Sequence, residues 1–360
     1  VLGFSVFLGD EFQESKQLYI EKMFHSGFNR VFTSLHIPED DESRMVANLK
    51  ELCKLTKAFN CSLMVDISSD GLRRLQIDLN DEQMIDQLLS LGVTGIRMDY
   101  GIDFQTIARV SQQLVVGLNA STLTEADVEE LVNYQANFEN MELWHNYYPR
   151  PETGLSEHYL HTLNQKWRKL GFKIIAFVPG DKNLRGPLHA GLPTLEGHRL
   201  KHPLVAAVDL LQNYACDEVC IGDEGLREQT QQQFIAYFKE QTVVLPVQIV
   251  DETHRELFIG THTNRVDDAR DVLRSQEARF KQLPLIIPNE SLPRNKGSVT
   301  LDNQKYLRYM GELQISKRDL PADEKVNVVA KVIDSEVDLL TCVLPGYRFE
   351  LVEESGNDNE

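Results

Sequence analysis

The chain has 360 residues, 42% of them apolar, which is enough for two ordinary domains or for one large barrel with a smaller companion. Its 55 acidic and 37 basic residues give a formal net charge of -18, which argues against non-specific binding to nucleic acid or to an anionic membrane. The five cysteines (Cys53, Cys61, Cys216, Cys220 and Cys342) are too scattered for a disulfide framework and read as core thiols, and no stretch approaches the roughly 20 apolar residues of a membrane helix.

The opening VLGFSVFLGD carries neither a basic segment nor a small-residue cleavage pattern; it reads as a first strand, and a cytoplasmic protein is expected. Strand-like runs follow in order: LGFSVFL, FNRVFTSL, CSLMVDI, VTGIRMD, QLVVGLN, NMELWHN, FKIIAFV and DEVCIGD. Helical stretches lie between them, among them SKQLYIEKMFHSG, ESRMVANLKELCKLTKAFN, DEQMIDQLLSLG and TEADVEELVNYQAN. Several of these end in Gly or Asn, a helix stop signal, and Thr124 with Asp127 forms a capping-box-like start. Eight strand-then-helix units imply parallel pairing and fit a (β/α)8 TIM barrel over residues 1–239. The competing doubly wound sheet wants a glycine-rich turn after its first strand, and FLGDEFQES has none.

From residue 240 to 360 the texture becomes β-rich. TVVLPVQIVD, RELFIGTHTN, PLIIP, KYLRYMGELQIS, KVNVVAKVI and YRFELVEE read as strands, with one helix near DDARDVLRSQEARFKQ. A separate, smaller β domain is expected.

In a TIM barrel, ligand-binding groups gather at the C-terminal strand ends. Those ends carry Asp10 and Glu11; His36, Glu39, Asp40 and Asp41; Asp66; Arg97 and Asp99; and Asn119, Ser121 and Thr122. Beyond them come His145, Asn146, Tyr148 and Arg150, then Asp181, Arg185, Glu196, His198 and Arg199, and last Asp223 and Glu224. In GIRMDY, Ile96 and Met98 share one strand face and Arg97 and Asp99 the other, which points the charges toward the barrel axis. Such a charge is paired or used. Arg97 therefore reads either as an internal ion pair shaping the mouth or as a ligand group, and Asp66 either as a turn cap or as chemistry. Carboxylates on neighbouring strands are the equipment of a glycosidase, so Asp66 and Asp99 are the candidate catalytic pair. His36, His145, Asp66 and Asp99 could converge on a metal, but no H-x-H or H-E-x-x-H pattern supports one, and no metal or cofactor is assigned. Arg150 and Arg185 are natural partners for phosphate or carboxylate.

SLHIPEDD, MVDIS, IRMDYG, GLNASTLT, HNYYPRPETGLS and RGPLHAGLPTLEGHR together resemble the 6-phospho-N-acetylmuramidase family of glycoside hydrolases. IGTHTNR and RNKGSVTLDNQKYLRYMGELQI resemble that family's second domain. The resemblance implies a TIM barrel followed by a cyclophilin-like β domain that covers the barrel mouth or mediates a homodimer. It also implies a cofactor-free enzyme of cell-wall recycling. The substrate would be N-acetylmuramic acid 6-phosphate linked β-1,4 to N-acetylglucosamine. On that reading His36, Glu39, Arg97, Asn119, His145, Asn146, Tyr148, Arg150, Asp181, Arg185 and Glu196 are expected to bind substrate, with Arg150 or Arg185 on the phosphate. A sugar-phosphate isomerase or aldolase, and a non-catalytic sugar-phosphate sensor, stand as alternatives.

Overall fold

The computed structural model describes residues 1–9, 12–35, 42–74, 77–98, 101–279 and 283–354. The chain divides into two compact units, Val1–Gln231 and Gln232–Glu360. Among the described residues no helix is long and apolar enough to cross a membrane.

In the first unit, strands β1 (Leu2–Ser5), β2 (Arg30–Ser34), β3 (Ser62–Ile67), β4 (Gly95–Met98), β5 (Val115–Asn119), β6 (Met141–Trp144), β7 (Lys173–Val178) and β8 (Glu218–Ile221) pair in chain order. Every pair is parallel, and β8 returns to β1, so the sheet closes into a barrel. Helices α1 (Glu14–His25), α2 (Glu42–Ala58), α3 (Ser69–Arg74), α4 (Glu82–Leu91), α5 (Phe104–Val110), α6 (Glu125–Asn133), α7 (Glu157–Lys169) and α8 (Pro203–Asn213) fill the connections, and α9 (Glu228–Glu240) follows β8. The capping box is real. The Asp127 N–H donates to Thr124 Oγ1 at 3.2 Å, and the Thr124 N–H donates to Asp127 Oδ2 at 2.7 Å. Gly92 ends α4 at φ 115°, a conformation only glycine takes without strain.

The barrel interior is built in layers, as strand alternation requires. At the N-terminal end of the strands, Arg30 donates to both oxygens of Glu142 at 2.6 and 3.0 Å and sits 3.2 Å from Glu218, while Lys173 pairs with the same two carboxylates. Two cations and two anions thus cancel inside the barrel. Burial pushes the Glu142 carboxyl up, but the Arg30 hydrogen bonds and charge, with Lys173, reverse this and hold it below its ordinary value. Above lies an apolar layer of Phe32, Met64, Trp144, Ile175, Phe177 and Cys220. Above that, Ser34, Asp66, Arg97 and Gly117 occupy one register row across β2, β3, β4 and β5.

The second unit holds β9 (Thr242–Ile249), α10 (Arg255–Phe258), β10 (Gly260–Thr263), β11 (Val272–Arg274), β12 (Ser298–Asp302), β13 (Leu313–Ser316), β14 (Val326–Val332) and β15 (Arg348–Glu353). They form one mixed sheet in the order β10-β15-β9-β14-β12-β13-β11, with β15 and β9 parallel. The two edge strands meet. The Gln276 N–H donates to the Thr263 carbonyl at 2.9 Å and the Arg265 N–H to the Arg274 carbonyl at 3.0 Å, so the sheet curls back on itself.

Four expectations for this half need correction. In RELFIGTHTN, Arg255–Phe258 is the helix α10 and Gly260–Thr263 is the strand β10. Within the charged stretch 267–282, the described residues 267–279 form no long helix: Val272–Arg274 is β11, paired antiparallel with β13, and Glu277–Arg279 makes a short 3-10 turn. Its helix-favouring residues yield to the ladder bonds offered by β13. PLIIP runs without regular structure, and the first half of KYLRYMGELQIS is a 3-10 segment, Gln304–Tyr309, leaving Leu313–Ser316 as the strand.

Gly117 sets the tightness of the upper row. A Cβ there would stand 3.0 Å from Trp144 Cδ1 and 3.2 Å from the Arg97 Cβ. Gly117→Ala is therefore expected to destabilise the barrel by about 1–3 kcal/mol through overpacking. Urea unfolding measures this; unchanged stability would show that Trp144 and Arg97 have slack the packing does not suggest.

Candidate functional site

The C-terminal strand ends bring two groups of polar side chains together. The first is the register row. Arg97 Nη1 donates to Asp66 Oδ1 at 2.8 Å, and the Ser34 hydroxyl donates to Asp66 Oδ2 at 3.1 Å. Arg97 Nη2 donates to Asn146 Oδ1 at 2.5 Å, and Asn119 Nδ2 approaches the same oxygen at 3.4 Å. Alternation explains the convergence: Ser34, Asp66, Arg97 and Asn119 all fall on the inward face of their strands. The Arg97 side chain is 6% exposed and that of Asp66 13%, so the carboxylate keeps an open side. Asp66 accepts on both oxygens, and its neighbours fix its orientation.

The second group lies across the barrel. Tyr147 packs edge-on against Phe177 and Phe32, with ring centroids 5.2 and 6.4 Å apart. Arg185 Nη1 donates to the Tyr147 hydroxyl at 3.1 Å, and the Arg185 guanidinium lies 3.6 Å over the Phe7 ring. The hydroxyl oxygen accepts from Arg185, which leaves its proton to donate elsewhere. Burial raises the Tyr147 pKa, partly offset by the charge of Arg185, so the phenol stays protonated at neutral pH. Within the barrel unit, Arg30, Arg97, Arg199 and Arg227 each have a carboxylate partner. Arg185 is half-buried and has none among the described residues. In a chain of net charge -18, such a cation is a ready anion site.

Other expected site residues have structural partners. His145 faces out of the barrel: it is fully buried, and its Nε2 lies 2.7 Å from Asn164 Oδ1 on α7. Glu142 and Trp144 take the inward face of β6, and the alternation carried past the strand end turns Asn146 inward and His145, between Trp144 and Asn146, toward α7. Asp181 is turned to the start of α9, where it accepts from the N–H and Nε of Arg227 and from the Thr230 hydroxyl. Glu196 accepts from Arg199 Nε and Nη2, each at 2.7 Å, and from the N–H groups of Glu152 and Gly154, each at 2.8 Å; Arg199 foremost, these bonds pull its carboxyl down to about 2. Arg199 also donates to the Tyr148, Arg150, Ala190 and Gly191 carbonyls, bracing the loops after β6 and β7. Tyr148 is half-buried and held through its backbone. Arg150 is exposed and donates to the Pro151 carbonyl at 3.4 Å. Asp10, Glu11, His36, Glu39, Asp40, Asp41 and Asp99 lie outside the described residues. Ser34 was absent from the sequence-derived site, though its register with Asp66 follows once the strands are aligned. Among the described residues no three His, Cys, Asp or Glu side chains converge to hold a metal.

Both units match one family. Residues 2–236 match the N-terminal and residues 243–352 the C-terminal region described as 6-phospho-N-acetylmuramidase. The chain belongs to that family. It is 43% identical to a conserved Enterococcus faecalis protein of unknown function whose crystal structure superposes with a TM-score of 0.91, covering 98% of this chain and 96% of that one. An uncharacterised protein of B. cereus is 28% identical, with a TM-score of 0.73 over 98% of this chain and 99% of its own. Among curated proteins no match was found.

Burial of His145 lowers its pKa to about 4, an effect only partly offset by the Asn164 hydrogen bond. The unfolded chain then binds a proton below about pH 6.5 that the folded chain refuses, so stability falls as pH drops from about 6.5 toward 4. By pH 5 this costs about 2 kcal/mol. Urea unfolding of wild type and His145→Gln at pH 7 and pH 5 checks it: the variant is expected to show a flatter pH dependence. Parallel curves would mean that His145 is not what titrates.

Proposed function

We propose that the chain is a cytoplasmic glycosidase that hydrolyses the β-1,4 bond between N-acetylmuramic acid 6-phosphate and N-acetylglucosamine, in the recycling of cell-wall fragments. Membership of the 6-phospho-N-acetylmuramidase family supports the reaction class. The observation that carries the phosphate is Arg185, a half-buried guanidinium held over Phe7 and against Tyr147 with no carboxylate among the described residues. Arg150 lies exposed on its loop, so Arg185 is the better of the two arginines for this task.

In this reading Asp66, oriented by Arg97 and Ser34, is the carboxylate that attacks the anomeric carbon or takes a proton from the attacking water. Asp99, two residues after Arg97 in the sequence and outside the described residues, is the partner acid proposed to protonate the leaving oxygen. Asn119 and Asn146 offer amide groups to the sugar hydroxyls and N-acetyl groups, with His36 and Glu39, outside the described residues, proposed as further contacts. Phe32, Trp144 and Phe177 are the buried apolar layer beneath the register row, and Tyr147 packs against Phe32 and Phe177. The C-terminal unit, whose sheet curls until its edges meet, is read as a cyclophilin-like barrel; fold alone gives no reason to expect prolyl isomerisation.

A mass-spectrometric assay on the phosphorylated disaccharide and its unphosphorylated twin tests the proposal. Wild type is expected to cleave the phosphorylated sugar, and Asp66→Asn to lose about a hundred- to ten-thousandfold in kcat. Arg185→Ala is expected to lower kcat/KM on the phosphorylated sugar by about ten- to a hundredfold and to spare the unphosphorylated one. Arg150→Ala is expected to change little. Absence of cleavage by wild type would sink the proposal, and equal losses on both sugars in Arg185→Ala would remove the phosphate assignment.

A further inference from the structure

Arg185 is anchored twice, once through its guanidinium and once through its backbone. The guanidinium rests on Phe7 and Tyr147. The backbone anchor is Asp223, just beyond β8 and 1% exposed. Asp223 Oδ1 accepts from the Arg185 N–H at 3.0 Å. Asp223 Oδ2 accepts from the Gly180 N–H at 2.9 Å and the Leu192 N–H at 3.0 Å. One carboxylate therefore ties down the beginning, the middle and the far end of the loop that follows β7.

The same loop is pressed against the end of β8 with no room for side chains. A Cβ on Gly180 would stand 2.4 Å from the Gly225 carbonyl oxygen, and one on Gly222 would stand 2.3 Å from the Leu192 carbonyl oxygen. The Asp181 and Lys182 N–H groups both donate to the Gly225 carbonyl at 3.2 Å. The loop's ends are thus stapled by several contacts, whereas among the described residues the Arg185 N–H has one acceptor, Asp223 Oδ1.

We propose that Asp223 is the positioning residue of the anion site: it touches no substrate but fixes the stretch of backbone from which Arg185 reaches the phosphate. This rests on the reading of Arg185 as the phosphate ligand. Asparagine is the informative replacement, because it keeps one acceptor oxygen. Placed where Oδ2 is, that oxygen preserves the bonds from Gly180 and Leu192. The amide NH2 then faces the Arg185 N–H, donor against donor, and the break falls at the arginine. Glycine contacts and the Gly225 bonds still hold the loop ends, so the lesion stays local.

The experiment compares wild type, Arg185→Ala and Asp223→Asn by kcat/KM on the phosphorylated and unphosphorylated disaccharides, together with calorimetric binding of inorganic phosphate. Asp223→Asn is expected to reduce phosphate affinity and the phosphorylated-to-unphosphorylated ratio by about tenfold, with the change in KM exceeding that in kcat. A merely structural role would lower activity on both sugars alike and leave the ratio unmoved, which would overturn the inference. Collapse of the ratio in Arg185→Ala but not in Asp223→Asn overturns the positioning role alone. An unchanged ratio in Arg185→Ala removes the phosphate reading, and this inference with it. Should Asp223→Asn fail to fold, hydrogen exchange at the Arg185 amide of wild type still decides: strong protection is expected, and rapid exchange would overturn the inference.

Discussion

The bond between Asp66 and Arg97 links the architecture of this protein to its chemistry. It is a lateral contact between neighbouring strands, β3 and β4, made possible because both residues occupy one register row and face inward. A shift of either strand by one residue would turn its side chain into the helix layer. Closure of the barrel fixes the register, the register fixes the row, and the row presents a carboxylate at the mouth with both oxygens engaged and one side open. Gly117 completes the row by leaving space in which Arg97 and Trp144 both fit.

The barrel handles its charges in two ways. At its N-terminal end, Arg30 and Lys173 are matched by Glu142 and Glu218, so an ion network closes without residual charge. A buried network of this kind adds little net stability over an apolar replacement, but loss of one member leaves its partner uncompensated. At the C-terminal end, among the described residues, the matching is incomplete: Arg97 has Asp66, whereas Arg185 has an aromatic face and a hydroxyl. The open charge, rather than the paired ones, distinguishes the mouth as a place for an anion.

The barrel was readable in the sequence because each strand and helix announced itself by period and by stop signals, and eight such units leave few alternatives. The inward direction of Arg97 followed from alternation within GIRMDY alone. The second unit was less transparent, because a three-residue strand such as Val272–Arg274 has no pattern of its own and exists through its pairing with β13. At the site the difficulty was chemical degeneracy. Asp66, Asp181, Glu196 and Asp223 all sit at strand ends or in the loops beyond them. Sequence cannot tell a carboxylate that faces the mouth from one that caps α9, clamps Arg199 or staples a loop. Those distinctions depend on which backbone N–H groups lie within about 3 Å, which is fixed only once the loops are folded. His145 shows the same limit: it belongs to a stretch dense in ligand-like residues, yet just past the end of β6 it turns toward α7.

The account's central claim is that the phosphorylated sugar lies across the mouth between Arg185 and Asp66. A crystal structure of Asp66→Asn soaked with N-acetylmuramic acid 6-phosphate-β-1,4-N-acetylglucosamine tests it most directly. The expected result is the phosphate hydrogen-bonded to Arg185, with the anomeric carbon of the muramic acid ring facing position 66. A phosphate held by Arg150, or a disaccharide bound away from the row of Ser34, position 66 and Arg97, would contradict it.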